Sequence, residues 1–168
     1  MTFKAALGLG GNVGDPPAAM GNALRQLDQH CGCKITAVSR LYKTPPWGKT
    51  DQADFFNCCA LVETELGPED LLELCLGVER NMKRVRIERW GPRTIDIDVL
   101  VYDDIEVRTE RLQLPHPHMT ERAFVLMPLN DVASTLQVAG RTVADWLALS
   151  DRADIRVACE DTEWWRQA

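Results

Sequence analysis

Apolar positions recur along the chain with two different periods, and they predict alternating strands and helices. Period-two alternation and short β-branched runs predict strands over 4–9, 34–42, 55–64 and 96–101. Leucine and methionine at helical spacing predict helices over 16–30, from 68 to about 82, and over 142–149. The elements up to residue 101 follow the order strand, helix, strand, strand, helix, strand. This is the split βαβ pattern, which predicts an α+β, ferredoxin-like fold.

The predicted fold also indicates where a site would lie. Its sheet is antiparallel and carries both helices on one face, so the other face is free for a site that long loops can close. The first strand is expected to end in a glycine-rich turn over 8–15, where backbone can approach a ligand. Since the 168 residues contain no repeat and no linker-like stretch, we expect a single domain over 1–168.

Two carboxylates stand two residues apart at the last of these strands, within the segment Arg89-Trp90-Gly91-Pro92-Arg93-Thr94-Ile95-Asp96-Ile97-Asp98-Val99-Leu100. Because residues i and i+2 of a strand face the same side, Asp96 and Asp98 project together. Neighbouring anions repel each other unless a cation lies between them. A Mg²⁺ ion that keeps several waters and bridges to phosphate needs only one or two carboxylates. A solvated strand face is the ordinary alternative for such a pair.

Cations cluster just before this pair, although the net charge of the chain is −6. The cluster consists of Lys83, Arg84, Arg86, Arg89 and Arg93. A solvated loop after a helix C-terminus would explain it, since cations suit the negative end of the helix dipole. Beside two carboxylates, however, the cluster indicates a site for a polyphosphate. The negative net charge argues against a nucleic-acid partner.

Aromatic and amide side chains near predicted loops are candidates for holding a flat ring. The candidate ring clamp consists of Trp47, Phe55, Trp90 and Phe124, with core packing as the alternative and as the expectation for Phe56. Asn57 can read the donor and acceptor edge of a heterocycle. His116 and His118 lie in a Pro-bounded loop, where a histidine either contacts phosphate or is simply solvated.

The six cysteines are expected to be reduced thiols in the cytoplasm. The chain begins without signal-peptide features and has no apolar run of the ~20 residues that a membrane span requires. We therefore expect no membrane partner. His30, Cys31 and Cys33 are close in sequence, but no second ligand pair follows at zinc-site spacing. Small core residues are the expectation for Cys58, Cys59 and Cys75.

Four motifs occur in an order that a known enzyme family shares. They are Gly10-Gly11-Asn12-Val13-Gly14-Asp15; Tyr42-Lys43-Thr44-Pro45-Pro46 with Asp51-Gln52-x-x-Phe55-Phe56-Asn57; Arg89 to Leu100; and Leu114-Pro115-His116-Pro117 with Arg122-x-Phe124. By these motifs the chain resembles the 6-hydroxymethyl-7,8-dihydropterin pyrophosphokinases of folate biosynthesis. The resemblance covers about 3–130. It implies a ferredoxin-like fold and transfer of pyrophosphate from ATP to the hydroxymethyl group of a dihydropterin, with release of AMP.

The resemblance also implies residue roles. Asp96 and Asp98 would bind two Mg²⁺ ions that bridge the phosphates, and the catalytic set would be Arg84, Arg86, Arg93, Asp96 and Asp98. ATP-binding residues would be Glu79, Arg84, Arg86, Arg93, Arg111, His116 and Arg122. The pterin pocket would consist of Thr44, Pro45, Trp47, Phe55, Asn57, Trp90 and Phe124. Two segments, 44–54 and 83–93, correspond to family loops that close over the substrates.

Several positions depart from the family pattern, and two other functions stay open. Lys83 stands where a glycine is common, Trp47 replaces a usual leucine, and only Ile87 and Glu88 separate Arg86 from Arg89. A paralogue that uses another pterin or alcohol would fit these departures. A ferredoxin-like nucleic-acid binder would instead stack bases on its sheet, but it would need basic residues there. We expect a monomer that binds small molecules and no nucleic acid.

Overall fold

The structure is a computed structural model that describes residues 1–45, 53–85 and 95–167, with side chains left out of the description for 83–85. Its strands are β1 (Phe3–Gly11), β2 (Cys33–Val38), β3 (Leu41–Thr44), β4 (Phe55–Thr64), β5 (Asp96–Tyr102), β6 (Val107–Arg108), β7 (Gln113–Leu114), β8 (Gln137–Val138), β9 (Arg141–Thr142) and β10 (Arg156–Cys159). Its α-helices are α1 (Pro16–Gln29), α2 (Pro68–Val85), α3 (Ala123–Ala133) and α4 (Val143–Ala148). Single 3₁₀ turns occur at Met119–Glu121 and Trp164–Arg166.

One antiparallel sheet organises the molecule, with neighbouring strands in the order β10-β3-β4-β1-β5. β4 is paired with β1 on one edge, and on its other edge with β2 at 60–64 and with β3 at 55–57. Pairs β6–β7 and β8–β9 form two separate ribbons. The order β5-β1-β4 followed by β2 and β3 is that of a split βαβ sheet, so the predicted ferredoxin-like class is confirmed.

The strand predicted over 34–42 is in fact two strands, and Ser39 lies at the break. Its side chain is fully buried. Ser39 Oγ accepts a hydrogen bond from the Cys59 N–H at 2.9 Å and donates one to the Arg40 carbonyl at 2.7 Å. The hydroxyl thereby satisfies backbone groups that a continuous ladder would have paired. The alternation of apolar residues could not show this break, because it continues on both sides of it.

The first strand extends further than the sequence indicated. Residues 8–11 belong to β1 rather than to a turn, and Gly11 is opposite Phe56 of β4 in the register. Glycine normally weakens a strand, but here it makes room for side chains of neighbouring strands. A Cβ at Gly10 would lie 2.6 Å from Asn57 Oδ1, and one at Gly8 would lie 3.4 Å from the Leu100 side chain.

The helices predicted over 16–30 and from 68 to about 82 are α1 and α2, and both pack on one face of the sheet, as expected. Asp15 Oδ1 caps α1 by accepting the Ala18 N–H at 3.2 Å, with prolines in the first turn. Buried leucines and methionines of α1 and α2 form one core with Leu7, Leu9, Ile97 and Val99 of the sheet. α2 continues to Val85, beyond the predicted end near residue 82, so Arg84 lies on the last turn of a helix and not in a loop.

The opposite face is less open than predicted, because α3 and α4 cover part of it. A second core joins Leu126, Leu129, Val143 and Leu147 to Cys59, Leu100 and Val101 of the sheet. α3 had not been assigned from the sequence, and it accommodates Pro128 in its interior. The site is therefore confined to the part of this face that α3 and α4 leave uncovered.

Residues after 150 complete one edge of the sheet. β10 pairs antiparallel with β3, and Trp165 beyond it is only 3% exposed. Within the described ranges, no helix has the length and apolar character needed to cross a membrane.

Ser39 provides a direct test of how the break is held. We expect Ser39→Ala to lower the free energy of unfolding by about 1–3 kcal/mol, since it leaves buried backbone groups without a partner. Urea denaturation monitored by circular dichroism measures the change. Ser134→Ala, at an exposed position after α3, is the matched control and is expected to change stability by no more than about 0.5 kcal/mol. Equal effects of the two substitutions would contradict a role for the Ser39 hydroxyl.

Candidate active site

A cavity of about 1320 Å³ opens on the sheet face that α3 and α4 partly cover. Its floor consists of strand residues from β1, β3, β4 and β5, and its wall includes the start of α3. Many of the residues that the sequence singled out line this cavity together: Asn12, Thr44, Pro45, Phe55, Asn57, Asp96, Asp98, Arg122 and Phe124. The structure thus brings ring-binding and metal-binding candidates into one space.

Asp96 and Asp98 project from β5 onto the floor of the cavity. Ile97 and Val99, which alternate with them, are 3% exposed and belong to the core beneath α1 and α2. In the register of β5 with β1, Asp96 is opposite Gly10 and Asp98 is opposite Gly8. Since glycines have no side chain, no side chain of β1 separates either carboxylate from the cavity.

Asn57, Gly10 and Asp96 form one row across three neighbouring strands. Gly10 is opposite Asn57 of β4 on one side and opposite Asp96 of β5 on the other. Because paired strands are ~4.8 Å apart, the backbones of Asn57 and Asp96 are separated by roughly 10 Å. The amide and the carboxylate therefore face the same cavity from opposite sides of a residue without a side chain.

Neighbouring residues of β4 divide between the cavity and the core. Phe55 and Asn57 line the cavity, whereas Phe56 packs against the core beneath the helices, as predicted. Phe124 lies at the start of α3, and the Arg122 guanidinium is 5.9 Å from the centre of its ring. Thr44 is paired with Phe55 across β3 and β4. Together these side chains can hold a flat ring between aromatic and polar contacts.

The charges of the cavity suit a divalent cation. Its described lining carries the carboxylates of Asp96, Asp98, Glu121, Asp151 and Asp154 but a single guanidinium, that of Arg122. A phosphate group near Asp96 and Asp98 would be repelled unless a cation intervened. Among the described residues, no group of three or more His, Cys, Asp or Glu side chains could enclose a metal. Two carboxylates on the cavity floor fit Mg²⁺, which needs only one or two protein carboxylates and takes waters and phosphate oxygens as its other ligands.

Two residues predicted to bind ATP make other contacts. Glu79 of α2 accepts the Ile97 N–H at Oε1 over 2.7 Å, and so fixes the backbone between the two aspartates. Arg111 is exposed and forms an ion pair with Glu73. Neither residue is part of the described cavity lining. Their roles toward ATP stay predictions.

His116 lies beside the cavity, though it is not among the described lining residues. Burial lowers the pKa of its imidazole, while the nearby Asp98 carboxylate acts in the opposite direction. Its Nδ1 accepts the His118 N–H at 3.3 Å, which leaves Nε2 to carry the proton of the neutral ring. His116 can thus act as a neutral hydrogen-bond donor.

Several predicted site residues fall outside the described part of the chain. They are Trp47, Arg86, Trp90 and Arg93, together with the side chain of Arg84. The roles expected of the 83–93 arginine cluster and of most of the 44–54 loop therefore stay predictions.

The glycine-rich stretch that was expected to approach a ligand contributes Gly8 and Gly10 to the cavity floor, as strand residues and not as a turn. Other lining residues, Trp146, Leu149, Asp154 and Ile155, carried no signal in the sequence. Trp146 and Leu149 reach the cavity because α4 packs on the second core, and Ile155 because β10 pairs with β3. No local pattern indicates either arrangement.

Four of the six cysteines are core residues, as expected for Cys58, Cys59 and Cys75. Cys33, Cys58, Cys59 and Cys75 are buried free thiols, and burial raises the pKa of Cys33 to about 11. His30 Nδ1 accepts the Gly32 N–H at 3.0 Å instead of turning toward Cys31 or Cys33.

A family model and individual relatives point to the same family. A family model described as 7,8-dihydro-6-hydroxymethylpterin-pyrophosphokinase (HPPK) matches residues 6–134. A 2-amino-4-hydroxy-6-hydroxymethyldihydropteridine pyrophosphokinase of Methylorubrum extorquens is 49% identical over 152 residues, which are 90% of this chain and 96% of that protein. The protein of the same name from Bacillus subtilis is 41% identical over 137 residues, or 82% of each chain.

Solved structures agree on the fold. The crystal structure of Plasmodium falciparum HPPK-DHPS A437G with SDX-DHP superposes with a TM-score of 0.72 at 19% identity. The match covers 89% of this chain and 45% of that one. Because the family model spans most of the chain and relatives of similar length exceed 40% identity, the family resemblance read from the motifs is confirmed. The chain belongs to the 7,8-dihydro-6-hydroxymethylpterin-pyrophosphokinase family.

Proposed function

We propose that this chain transfers pyrophosphate from ATP to the hydroxymethyl group of 6-hydroxymethyl-7,8-dihydropterin and releases AMP, in folate synthesis. The observation that carries the proposal is the row Asn57, Gly10 and Asp96, which joins a ring-reading amide to a metal-binding carboxylate within one cavity. Family membership supports the same reaction.

The cavity supports a reaction whose rate depends mainly on how the two substrates are aligned. A ring held by Asn57, Phe55 and Phe124 can direct a substituent across Gly10 toward Asp96 and Asp98. The substituent hydroxyl would attack the β-phosphorus in line with the departing AMP oxygen. Phosphoryl transfer needs positioning and charge stabilisation rather than a strong base. Neutral His116 is consistent with this, since it can donate a hydrogen bond from Nε2.

We propose that Asp96 and Asp98 hold Mg²⁺, as two ions. Such ions neutralise charge that develops on the phosphate oxygens and orient the attacking hydroxyl. The aspartates are fixed for this task by the pairing of β5 with β1 and by Glu79, which holds the Ile97 N–H between them. The helix-side core around Ile97 and Val99 prevents the strand from turning over.

The remaining residue roles are proposed from the family resemblance. Arg84, Arg86 and Arg93 would bind the phosphates, while Glu79, Arg111, His116 and Arg122 would contact ATP. Trp47 and Trp90 would complete the ring pocket. Arg122 is supported by its position in the cavity beside Phe124.

We also propose that the chain acts as one domain and as a monomer in the cytoplasm. The pairing of β10 with β3 supports a single unit, because it joins residues after 150 to the same sheet. Among the described large hydrophobic side chains, few are exposed, which fits a monomer.

One assay tests the proposed reaction. The purified chain is incubated with Mg-ATP, with and without hydroxymethyl-dihydropterin, and AMP is measured by chromatography. We expect AMP only when the pterin is present, and none after EDTA is added. AMP without the pterin, or only with a different alcohol, would contradict the proposal.

The carboxylates provide the sharper variant test. Asp98→Asn keeps the shape of the side chain but removes its charge, so we expect kcat to fall about 100-fold or more, because a metal contributes several kcal/mol of transition-state stabilisation. Asp104→Asn, an exposed position just after β5, is the matched control and is expected to leave kcat unchanged. A normal kcat for Asp98→Asn at saturating Mg²⁺ would exclude Asp98 as a ligand.

The substitution Gly10→Ala tests the role of the row formed by Asn57, Gly10 and Asp96. In Gly10→Ala the new methyl would lie 2.6 Å from Asn57 Oδ1 and would displace the amide. We expect KM for the pterin to rise about tenfold and KM for ATP to change little, since a mispositioned amide costs ~1–2 kcal/mol. Gly77→Ala on α2 is the control, where the nearest atom would be 3.8 Å away.

A double-mutant cycle separates this effect from damage to the strand. In an Asn57→Ala background the amide is absent, so Gly10→Ala should add little to the pterin KM. If the two effects were simply additive, the clash with Asn57 would not be the cause.

A further inference from the structure

The segment 149–167 lies beyond the residues matched by the family model, which end at 134, yet part of it lines the active-site cavity. Its cavity-lining residues are Leu149, Ser150, Asp151, Asp154 and Ile155. They share that cavity with Thr44, Phe55 and Asn57. The wall of the site thus includes residues to which the motifs assign no role.

Strand register shows which part of the cavity Ile155 closes. Arg156 of β10 is opposite Lys43 of β3, and Thr44 of β3 is opposite Phe55 of β4. Side chains alternate between faces along a strand, so Ile155, one residue before Arg156, shares the cavity face with Thr44 and Phe55. β10 and β5 are the two outer strands of the sheet order. Ile155 therefore borders the ring pocket on the side away from Asp96 and Asp98.

Leu149, at the end of α4, adds a second apolar side chain to the cavity lining. Leu149 is 65% exposed, and among the described residues the other exposed large hydrophobics are Met1 at 98% and Ile105 at 38%. Of these three, Leu149 belongs to the described cavity lining. Trp146, one turn earlier, lines the cavity as well. An apolar side chain that faces a ligand cavity is a contact available to a ring.

The far end of the segment is fastened to the helix side of the sheet. Arg25 of α1 donates from Nη1 to the carbonyl oxygens of Trp165 at 2.6 Å and Gln167 at 2.9 Å. Trp164 Nε1 donates to the Ser39 carbonyl at 3.0 Å. A Cβ at Gly21 of α1 would lie 3.4 Å from the Trp165 carbonyl oxygen, so the two backbones approach closely.

We propose that Ile155 and Leu149 are binding residues of the pterin pocket and that Arg25 is a positioning residue that holds their segment in place. The proposal rests on the proposed function, because it assigns these residues to the pterin side of that reaction. Arg25 acts through the carbonyls of Trp165 and Gln167, which keep β10 against β3. Ile155 and Leu149 then contact the ring directly.

Steady-state kinetics with AMP as the readout test the proposal, with the pterin and ATP varied separately. Ile155→Ser and Leu149→Ser are each expected to raise KM for the pterin about tenfold, as the loss of an apolar contact in a pocket does. KM for ATP and kcat should stay within about twofold of wild type. Ile105→Ser, at an exposed hydrophobic residue outside the described cavity lining, is the matched control.

The positioning role of Arg25 is tested by removing the guanidinium donors that bind the Trp165 and Gln167 carbonyls. Arg25→Met removes them while keeping an unbranched side chain, and it should raise the pterin KM and lower the melting temperature. Arg25→Lys retains one donor group and should restore part of both. Arg108→Met, at an exposed arginine of β6, is the control. A lower melting temperature with an unchanged pterin KM would show a structural role alone and would overturn the positioning assignment.

The outcomes separate this inference from the proposed function. If the wild-type chain forms AMP but Ile155→Ser and Leu149→Ser keep a normal pterin KM, this inference fails and the proposed function stands. An equal rise in Ile105→Ser would also overturn it. If the wild-type chain forms no AMP with the pterin, both fail. Because Leu149 is largely exposed, Leu149→Ser is expected to fold even where Ile155→Ser does not.

Discussion

The pairing of β1 with β4 on one edge and with β5 on the other positions the strand residues on the floor of the site. It places Gly10 between Asn57 and Asp96, and Gly8 between Cys59 and Asp98. A one-residue shift of β5 against β1 would turn the carboxylates into the core beneath α1 and α2 and expose Ile97 and Val99 to the cavity. The hydrophobic core on the helix face therefore determines the chemistry of the opposite face.

Local patterns sufficed for the elements that bury one clear face. The helical spacing of Met20, Leu24 and Leu27 indicated α1, and the alternation of Asp96 and Asp98 with Ile97 and Val99 indicated which face of β5 is turned toward the core. Residues 55–57 could likewise be divided between cavity and core. In each case the property that makes the element stable is visible within a few residues of sequence.

Features that depend on distant partners were not predictable in the same way. The break at Ser39 involves a hydrogen bond with Cys59, and β1 extends through Gly11 because it stays paired with β4 as far as Phe56. Ile155 enters the cavity because β10 pairs with β3.

The route of the segment 149–167 has a consequence for how the chain can be joined to other proteins. The segment leaves the cavity beside Thr44, adds β10 to the edge of the sheet, and ends against Arg25 on the helix face. A fusion partner or affinity tag attached after this segment would begin on the side of the sheet opposite the cavity mouth. Substrate access would then be unobstructed, whereas a partner inserted near residue 150 would stand directly at the opening.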